Sequence, residues 1–296
     1  MIYLKEIIKT SPYYPSSLLN IEDSPSRLFA EGNLDLLNSD SIAIIGSRYA
    51  SENGMKTAEL FSKGLSQVGL TIVSGLALGI DTIAHKFSYN QKGKTIAVLG
   101  SGLNKIFPPE NIDLYKKIIE NDGLIISEYA PDTEPNSSSF PKRNRIISGL
   151  SLGILVVEAK YRSGTGITAT YAREQNKPIF AVPHEIDNPY GIGTNRLLKK
   201  GAIAVTNPID ILEKLKLTRL KNAYINLQNN QSEKQNSILI SDPKQAKIFK
   251  LIKEKPITPN DLARKTNFSI NEIQSILFIL EMDGYIKKVK GGYICM

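Results

Sequence analysis

The run Ser139-Phe140-Pro141-Lys142-Arg143-Asn144-Arg145-Ile146-Ile147-Ser148 sets three cations and an aromatic ring within six residues, at the head of an apolar, helix-like stretch. Arginine offers phosphate a planar fork of donors, and a Phe face accepts a stacked base of any identity. One short segment thus holds both halves of a grip on a single-stranded polyanion. Taken alone, a basic tetrapeptide is more often a solvated turn than a site. Its neighbours shift the balance.

Four loops follow strand-like runs. The first is Gly46-Ser47-Arg48, where a small residue admits an anion to the backbone and Arg48 closes over it. The second, Ser74-Gly75-Leu76-Ala77-Leu78-Gly79-Ile80-Asp81, spaces glycines so that amides point outward at a helix start. The third is Gly100-Ser101-Gly102. The fourth, Ser163-Gly164-Thr165-Gly166-Ile167-Thr168, joins a strand to a helix and combines unpaired amides with the positive end of the helix dipole. Any one of these is a plain tight turn about half the time. Together on one edge of a sheet, with the basic segment, they make a phosphate-binding rim.

Sharper chemistries fail on spacing. Gly93-Lys94-Thr95 resembles the end of a P-loop, but Ser88 stands where its first Gly belongs and the strand comes after it. In Gly46-Ser47-Arg48 an Arg replaces the second Gly that admits a dinucleotide pyrophosphate. No G-x-S-x-G elbow surrounds Ser47, Ser74 or Ser163. Asp81 and His85, spaced i and i+4, are expected to bond to each other as a brace, and His184 to be a loop residue. No cofactor, metal or catalytic residue is expected.

The elements that must position these loops are legible as apolar β-branched runs at 42–46, 70–74, 95–99, 124–127, 154–158 and 178–182. Helical spacing lies between them, as at Asn53 to Val68 and Ile167 to Gln175. This alternation is the signature of βαβ crossovers, and so of a doubly wound, mostly parallel, Rossmann-like α/β sheet. The core is expected at 41–217. Residues 1–40 are too few for a core of their own and read as a short extension. The Asn- and Gln-rich 218–242 reads as a flexible linker. Residues 243–296 follow the order of a winged helix. Thr258 caps a helix with Pro259 at its first position, Ser269 and Glu272 form a capping box, and a hairpin turns at Gly291-Gly292. The would-be recognition helix, Ile270 to Met282, has no Lys or Arg, which argues against reading a major groove.

The chain of 296 residues is 41% hydrophobic and 22% charged, with a net charge of +8 that favours an anionic partner. One cysteine and two histidines exclude a disulfide framework and a Cys- or His-rich metal site. With no signal-like or membrane-spanning apolar run, a cytoplasmic location is expected.

In order along the chain, Ile45-Gly46-Ser47-Arg48, Val73-Ser74-Gly75-Leu76-Ala77-x-Gly79-Ile80-Asp81-x-x-Ala84-His85 and Ile96-Ala97-Val98-Leu99-Gly100-Ser101-Gly102-Leu103 resemble the DNA-processing protein A (DprA/Smf) family. So do Ser127-Glu128-Tyr129, the segment Phe140 to Leu150, Val157-Glu158-Ala159, Ser163-Gly164-Thr165 and Asn195-x-Leu197-Leu198-x-x-Gly201-Ala202. The resemblance implies a homodimeric recombination mediator that binds single-stranded DNA, shields it and loads the RecA recombinase in natural transformation. It implies DNA contacts from Arg48, from Phe140, Lys142, Arg143 and Arg145, and from Ser74, Gly75, Gly164 and Thr165. Gly46, Ser47, Gly79, Asn144, Ser163 and Thr168 complete the expected site. The dimer is expected through Leu197, Leu198, Ile203, Ile209 and Leu212. The chain departs from the family at His184, where Gly is usual, and at Gly166, where a larger apolar residue is usual. A SAM-like N-terminal domain is expected to be reduced to Tyr14-Pro15 through Gly32-Asn33. The alternative is a nucleotide-processing enzyme similar to Rossmann phosphoribohydrolases, or a nucleotide sensor.

Overall fold

The structure is a computed structural model that describes residues 4–160, 164–239, 242–252 and 256–295. Two compact units divide it, residues 1–224 and 225–296. In the first unit the elements are β1 (Lys5–Ile8), α1 (Ser16–Leu19), β2 (Arg27–Gly32), β3 (Ser41–Ile45), α2 (Glu52–Gln67), β4 (Thr71–Ser74) and α3 (Ile80–Lys86). They continue with β5 (Thr95–Leu99), α4 (Ile112–Glu120), β6 (Leu124–Ser127), α5 (Ser139–Leu150), β7 (Ile154–Val156) and α6 (Thr165–Glu174). Last come β8 (Ile179–Ala181), α7 (Ile192–Lys199), β9 (Ile203–Ala204), α8 (Pro208–Lys214) and the start of α9 (Thr218–Leu239).

The strands form one sheet of nine in the order β1-β2-β6-β5-β4-β3-β7-β8-β9. Pairing is parallel from β6 to β9. From β3 the chain winds outward through β4 and β5 to β6, then returns to β7 on the other side of β3 and winds away. The reversal falls between β3 and β7, the topological switch point where an open α/β sheet holds ligands outside its strand ends. The inner strands β3 to β8 are buried because helices cover both faces, as the sequence reading requires. Alternation along each strand divides the core. Ala43, Ile45, Ile96, Val98, Ile154 and Val156 pack with Ile146 and Ile147 of α5 and Ala169 and Ala172 of α6. Ala97, Leu99 and Ile125 face the other way, onto Tyr115 and Ile118 of α4.

Two expectations are corrected here. Residues 1–40 are not an appendage, since β1 and β2 add two antiparallel strands beyond β6. Their Ile7, Leu18, Leu28 and Ala30 are buried in the same cluster as α5. The expected linker at 218–242 is largely helical, as α9. No Gly or Pro interrupts 218–239, and its long polar side chains are good helix formers. Tyr224, near its start, is buried, and its ring fills the space a side chain would take at Gly64 of α2.

The second unit contains α10 (Pro243–Ile252), α11 (Pro259–Thr266), α12 (Ile270–Met282) and the hairpin β10 (Ile286–Val289) and β11 (Gly292–Cys295). Thr258 accepts from the Asp261 amide with Pro259 in the first turn, and Ser269 and Glu272 close a capping box. Ile248, Leu262, Ile273, Leu277, Leu280 and Ile286 form its core. This is the helix, helix, helix and wing order expected of a winged helix. Among the described residues no helix is long and apolar enough to cross a membrane.

Candidate nucleic-acid interface

A cleft of about 650 Å³ opens at the switch point. Gly46, Ser47, Arg48 and Tyr49 after β3 form one wall, and Lys160, Gly164, Thr165 and Thr168 after β7 the other. The first turns of α5, with Phe140, Pro141, Arg143 and Asn144, cross between them. The basic segment therefore lies on a helix, not ahead of one.

Arg48 is exposed, its guanidinium carbon 5.8 Å from the centre of the Phe140 ring. Ser47 fixes the turn beneath it by donating to the Tyr49 carbonyl at 3.0 Å and accepting the Tyr49 amide at 3.1 Å. The Phe140 ring stands 5.5 Å from that of Phe107, tilted by 38°. It fits because a Cβ on Gly100 would come within 2.7 Å of the ring, so the Gly100 loop makes room for an aromatic. Tyr49, 77% exposed, adds a third ring at the rim. Across the cleft, Lys160 is exposed with its ammonium 4.8 Å from the centre of the Tyr190 ring. Gly164 gives the N-terminus of α6 no side-chain cap, and Gly164, Thr165 and Thr168 bring the positive end of its dipole to the cleft.

The remaining expected contacts have inward partners. Ser74 donates to the Ile44 carbonyl at 2.7 Å and is fully buried. The Gly75 amide donates to Asp81 at 3.1 Å, and the Gly75 carbonyl accepts from Arg143 at 2.7 Å. Gly79, at φ +76°, leaves no room for a Cβ against the Ser47 carbonyl, which accepts the Ile80 amide at 3.1 Å. Gly46 is small for the sake of Ile80, whose side chain a Cβ would meet at 2.6 Å. Of the amides expected to point outward here, that of Ile80 ties the second loop to the first, and those of Gly75 and Leu76 turn inward to Asp81 and His85.

Asp81 and His85 do not bond to each other as expected. Asp81 holds Gly75, while His85 accepts the Leu76 amide through Nε2 at 3.3 Å and donates from Nδ1 to Thr95 at 2.8 Å. Burial, with the Arg143 charge, lowers the His85 imidazole to about 3, so it stays neutral. Burial raises the Asp81 carboxyl above its usual range against the pull of Arg143. Burial lowers the Arg143 guanidinium to about 10, opposed by Asp81 and reinforced by Arg48.

Only part of the basic segment faces the cleft. Arg143 is a buried strut that donates to the carbonyls of Gly75 and Val98, with one edge at the cleft floor. Asn144 lines the wall and accepts from Arg143 at 3.1 Å. Arg145 turns away, forking onto both Glu128 oxygens at 2.7 Å and reaching Asp23 at 3.1 Å. Burial opposes its charge, and Glu128 and Asp23 outweigh that and raise its pKa. Lys142 lies 3.9 Å from Asp23 and 4.0 Å from Glu128, outside the cleft lining. Ser163 lies outside the described residues. Sequence reasoning missed Tyr49, Phe107 and Lys160. A ring beside Arg48 was the available signal for Tyr49; Phe107 and Lys160 stand alone in their loops and gave none.

A buried Glu158 packs against the N-terminus of α2. It accepts the Ser51 amide at 3.0 Å and the Ser51 hydroxyl at 2.5 Å, and a Cβ on Gly54 would strike its carboxylate at 2.2 Å. The N-terminus of α2 is thus occupied by a side chain of the protein itself, whereas Gly164 gives α6 no side-chain cap. His184 is a loop residue as expected, and it also braces its loop by donating from Nε2 to the Val157 carbonyl at 2.9 Å.

Fold and site together define a Rossmann-like α/β protein with an aromatic and cationic cleft at its switch point, joined to a winged helix. The chain belongs to the DNA recombination-mediator protein A family, whose model matches residues 5–216, and the DprA winged helix domain matches residues 232–292. It is 42% identical to Protein Smf of Escherichia coli over 96% of this chain and 75% of that protein. The X-ray structure of DNA processing protein A from Streptococcus pneumoniae superposes with a TM-score of 0.68 at 43% identity, covering 71% of this chain and 74% of that one. DNA processing protein A from Helicobacter pylori, described for a single-stranded DNA binding mode, superposes with a TM-score of 0.66 at 30% identity, covering 73% and 97%.

Proposed function

We propose that this protein binds single-stranded DNA in the switch-point cleft, without regard to sequence, and acts there as a recombination mediator. The observation that carries this is the stack of Phe107, Phe140 and Arg48 facing Lys160 and the N-terminal end of α6 across one cleft. Stacked rings take any base, and cations with the positive end of the α6 dipole take the backbone between bases. The faces of unpaired bases reach such rings, whereas those of a duplex are already stacked on one another. Protection of the strand and loading of the RecA recombinase are the roles this grip would serve.

Acid–base chemistry on a nucleotide is the weaker alternative. Asp81 is the only carboxylate among the described residues lining the cleft, and it is buried against Gly75. We further propose a homodimer through the C-terminal part of the core, where Leu197, Leu198, Ile203 and Ile209 are half-buried; Leu212 is fully buried and is removed from that expected patch. Gel-shift competition between single strands and blunt duplex, repeated with RecA, tests the main proposal. Preference for single strands is expected, and equal affinity for duplex overturns it. Release of free base from nucleoside monophosphates would favour the enzyme, and a monomeric mass in light scattering would reject the dimer.

A further inference from the structure

A second hollow, of about 190 Å³, lies between α6 and α7. Lys160, Arg173 and Lys200 line it, all exposed, and among the described residues no Asp or Glu does. The spacing is that of two facing helical stripes. Gly166, Thr170 and Arg173 fall on one side of α6, and Gly193, Arg196 and Lys200 on one side of α7 and its cap. Small residues make the floor: a Cβ on Gly193 would come within 2.6 Å of Ala159. Lys160, Arg173 and Lys200 give the hollow a positive field that draws an anion.

We propose that this trough is a second phosphodiester-binding site, which carries the strand out of the cleft and across α6. The proposal rests on the reading of the cleft as a single-strand site. Lys160 lines both hollows, so a backbone leaving the cleft on the α6 side meets the trough cations next. Gly166 keeps the way open. A Cβ there meets nothing within 4 Å, so a larger side chain at this position would project into the trough.

Fluorescence anisotropy with oligothymidylates of two lengths, about 4 and about 16 nucleotides, separates cleft from track. The double variant Arg173→Gln with Lys200→Gln is expected to bind the short strand as the wild type does. For the long strand, its slope of log affinity against log salt should fall by about 1.4, from two phosphates at about 0.7 each. Gly166→Leu, which keeps every charge, should weaken the long strand only. Arg48→Ala should weaken both lengths. If Arg48→Ala weakens binding while the double variant keeps the full slope, the trough is overturned and the cleft stands. If Arg48→Ala changes neither length, the cleft fails and the trough with it. A change in molecular mass by light scattering in the double variant would make the trough a contact between copies, and would also overturn the proposal.

Discussion

Arg48, Arg143 and Arg145 have the same side chain and three different uses. Arg48 is exposed on a turn fixed by Ser47, so its fork is free to meet phosphate. Arg48→Ala should cost roughly 1.5–3 kcal/mol of single-strand affinity, the range for hydrogen bonds to a charged group, and should lower the salt slope. Phe140→Ala should cost about 1–3 kcal/mol through lost stacking and leave the slope alone, since no charge is removed. Titrating both variants at several salt concentrations checks the contrast, and equal loss of slope in the two would put Phe140 outside the stack. Arg145→Met should act on stability. It leaves Glu128 without its fork, and a broken buried pair costs roughly 3–5 kcal/mol, here toward the low end because Lys142 remains 4.0 Å from Glu128. Urea unfolding should show that loss, with strand affinity unchanged in the folded protein. The sequence shows three arginines within reach of phosphate, yet what sorts them is remote. Arg145 finds Glu128 17 positions back and the Asp23 carbonyl 122 positions back, distances over which no local pattern carries information.

At the scale of the element, α3 is the brace that sets the second loop, and its chemistry is pH-dependent. His85 is neutral in the fold down to about 3, whereas an unfolded imidazole takes a proton near 6.5. Below 6.5 the unfolded chain therefore binds the extra proton, and stability falls with falling pH by up to about 1.4 kcal/mol per unit. Asp81 works in the opposite sense. Its raised pKa keeps it protonated in the fold where the unfolded carboxyl is ionised, so its contribution favours the fold at low pH and is lost as pH rises. The difference between wild type and His85→Gln isolates the histidine. The variant should flatten the decline between pH 6.5 and 4 in denaturant midpoints, and an unchanged decline would mean that His85 is not titrating as described. Elements whose ends are fixed by neighbours in sequence were legible without the structure. The caps at Thr258 and at Ser269 with Glu272 are local bonds, and helix α12 begins and ends where the sequence puts it. Residues 218–239 were not, because an Asn- and Gln-rich composition marks low hydrophobicity equally in a linker and in a helix.

On the whole molecule, domain boundaries follow burial and not composition. Ile7, Leu18, Leu28 and Ala30 belong to the main core, so deletion of residues 1–40 should abolish cooperative unfolding of the remainder and not trim a tail. At the other end the unit boundary falls after Tyr224. A chain ending at Asn222 would leave a hollow at Gly64 where the Tyr224 ring belongs; one ending at Tyr224 keeps it filled. The winged helix beyond is poorly equipped to hold DNA through α12. That helix has Glu272 and Glu281 with no cation, and it exposes Phe278 and Met282, while Lys287, Lys288 and Lys290 lie on or beside the wing. A helix in a major groove needs donors for phosphates and purine edges, which α12 lacks. Truncation after Tyr224 should therefore keep single-strand affinity within about threefold of the full chain, a difference of roughly 0.7 kcal/mol, and lower the salt slope by no more than the wing lysines contribute. Anisotropy titrations of the two chains under one salt series decide the matter. Loss of nearly all affinity on truncation would move the main site from the switch-point cleft to the winged helix.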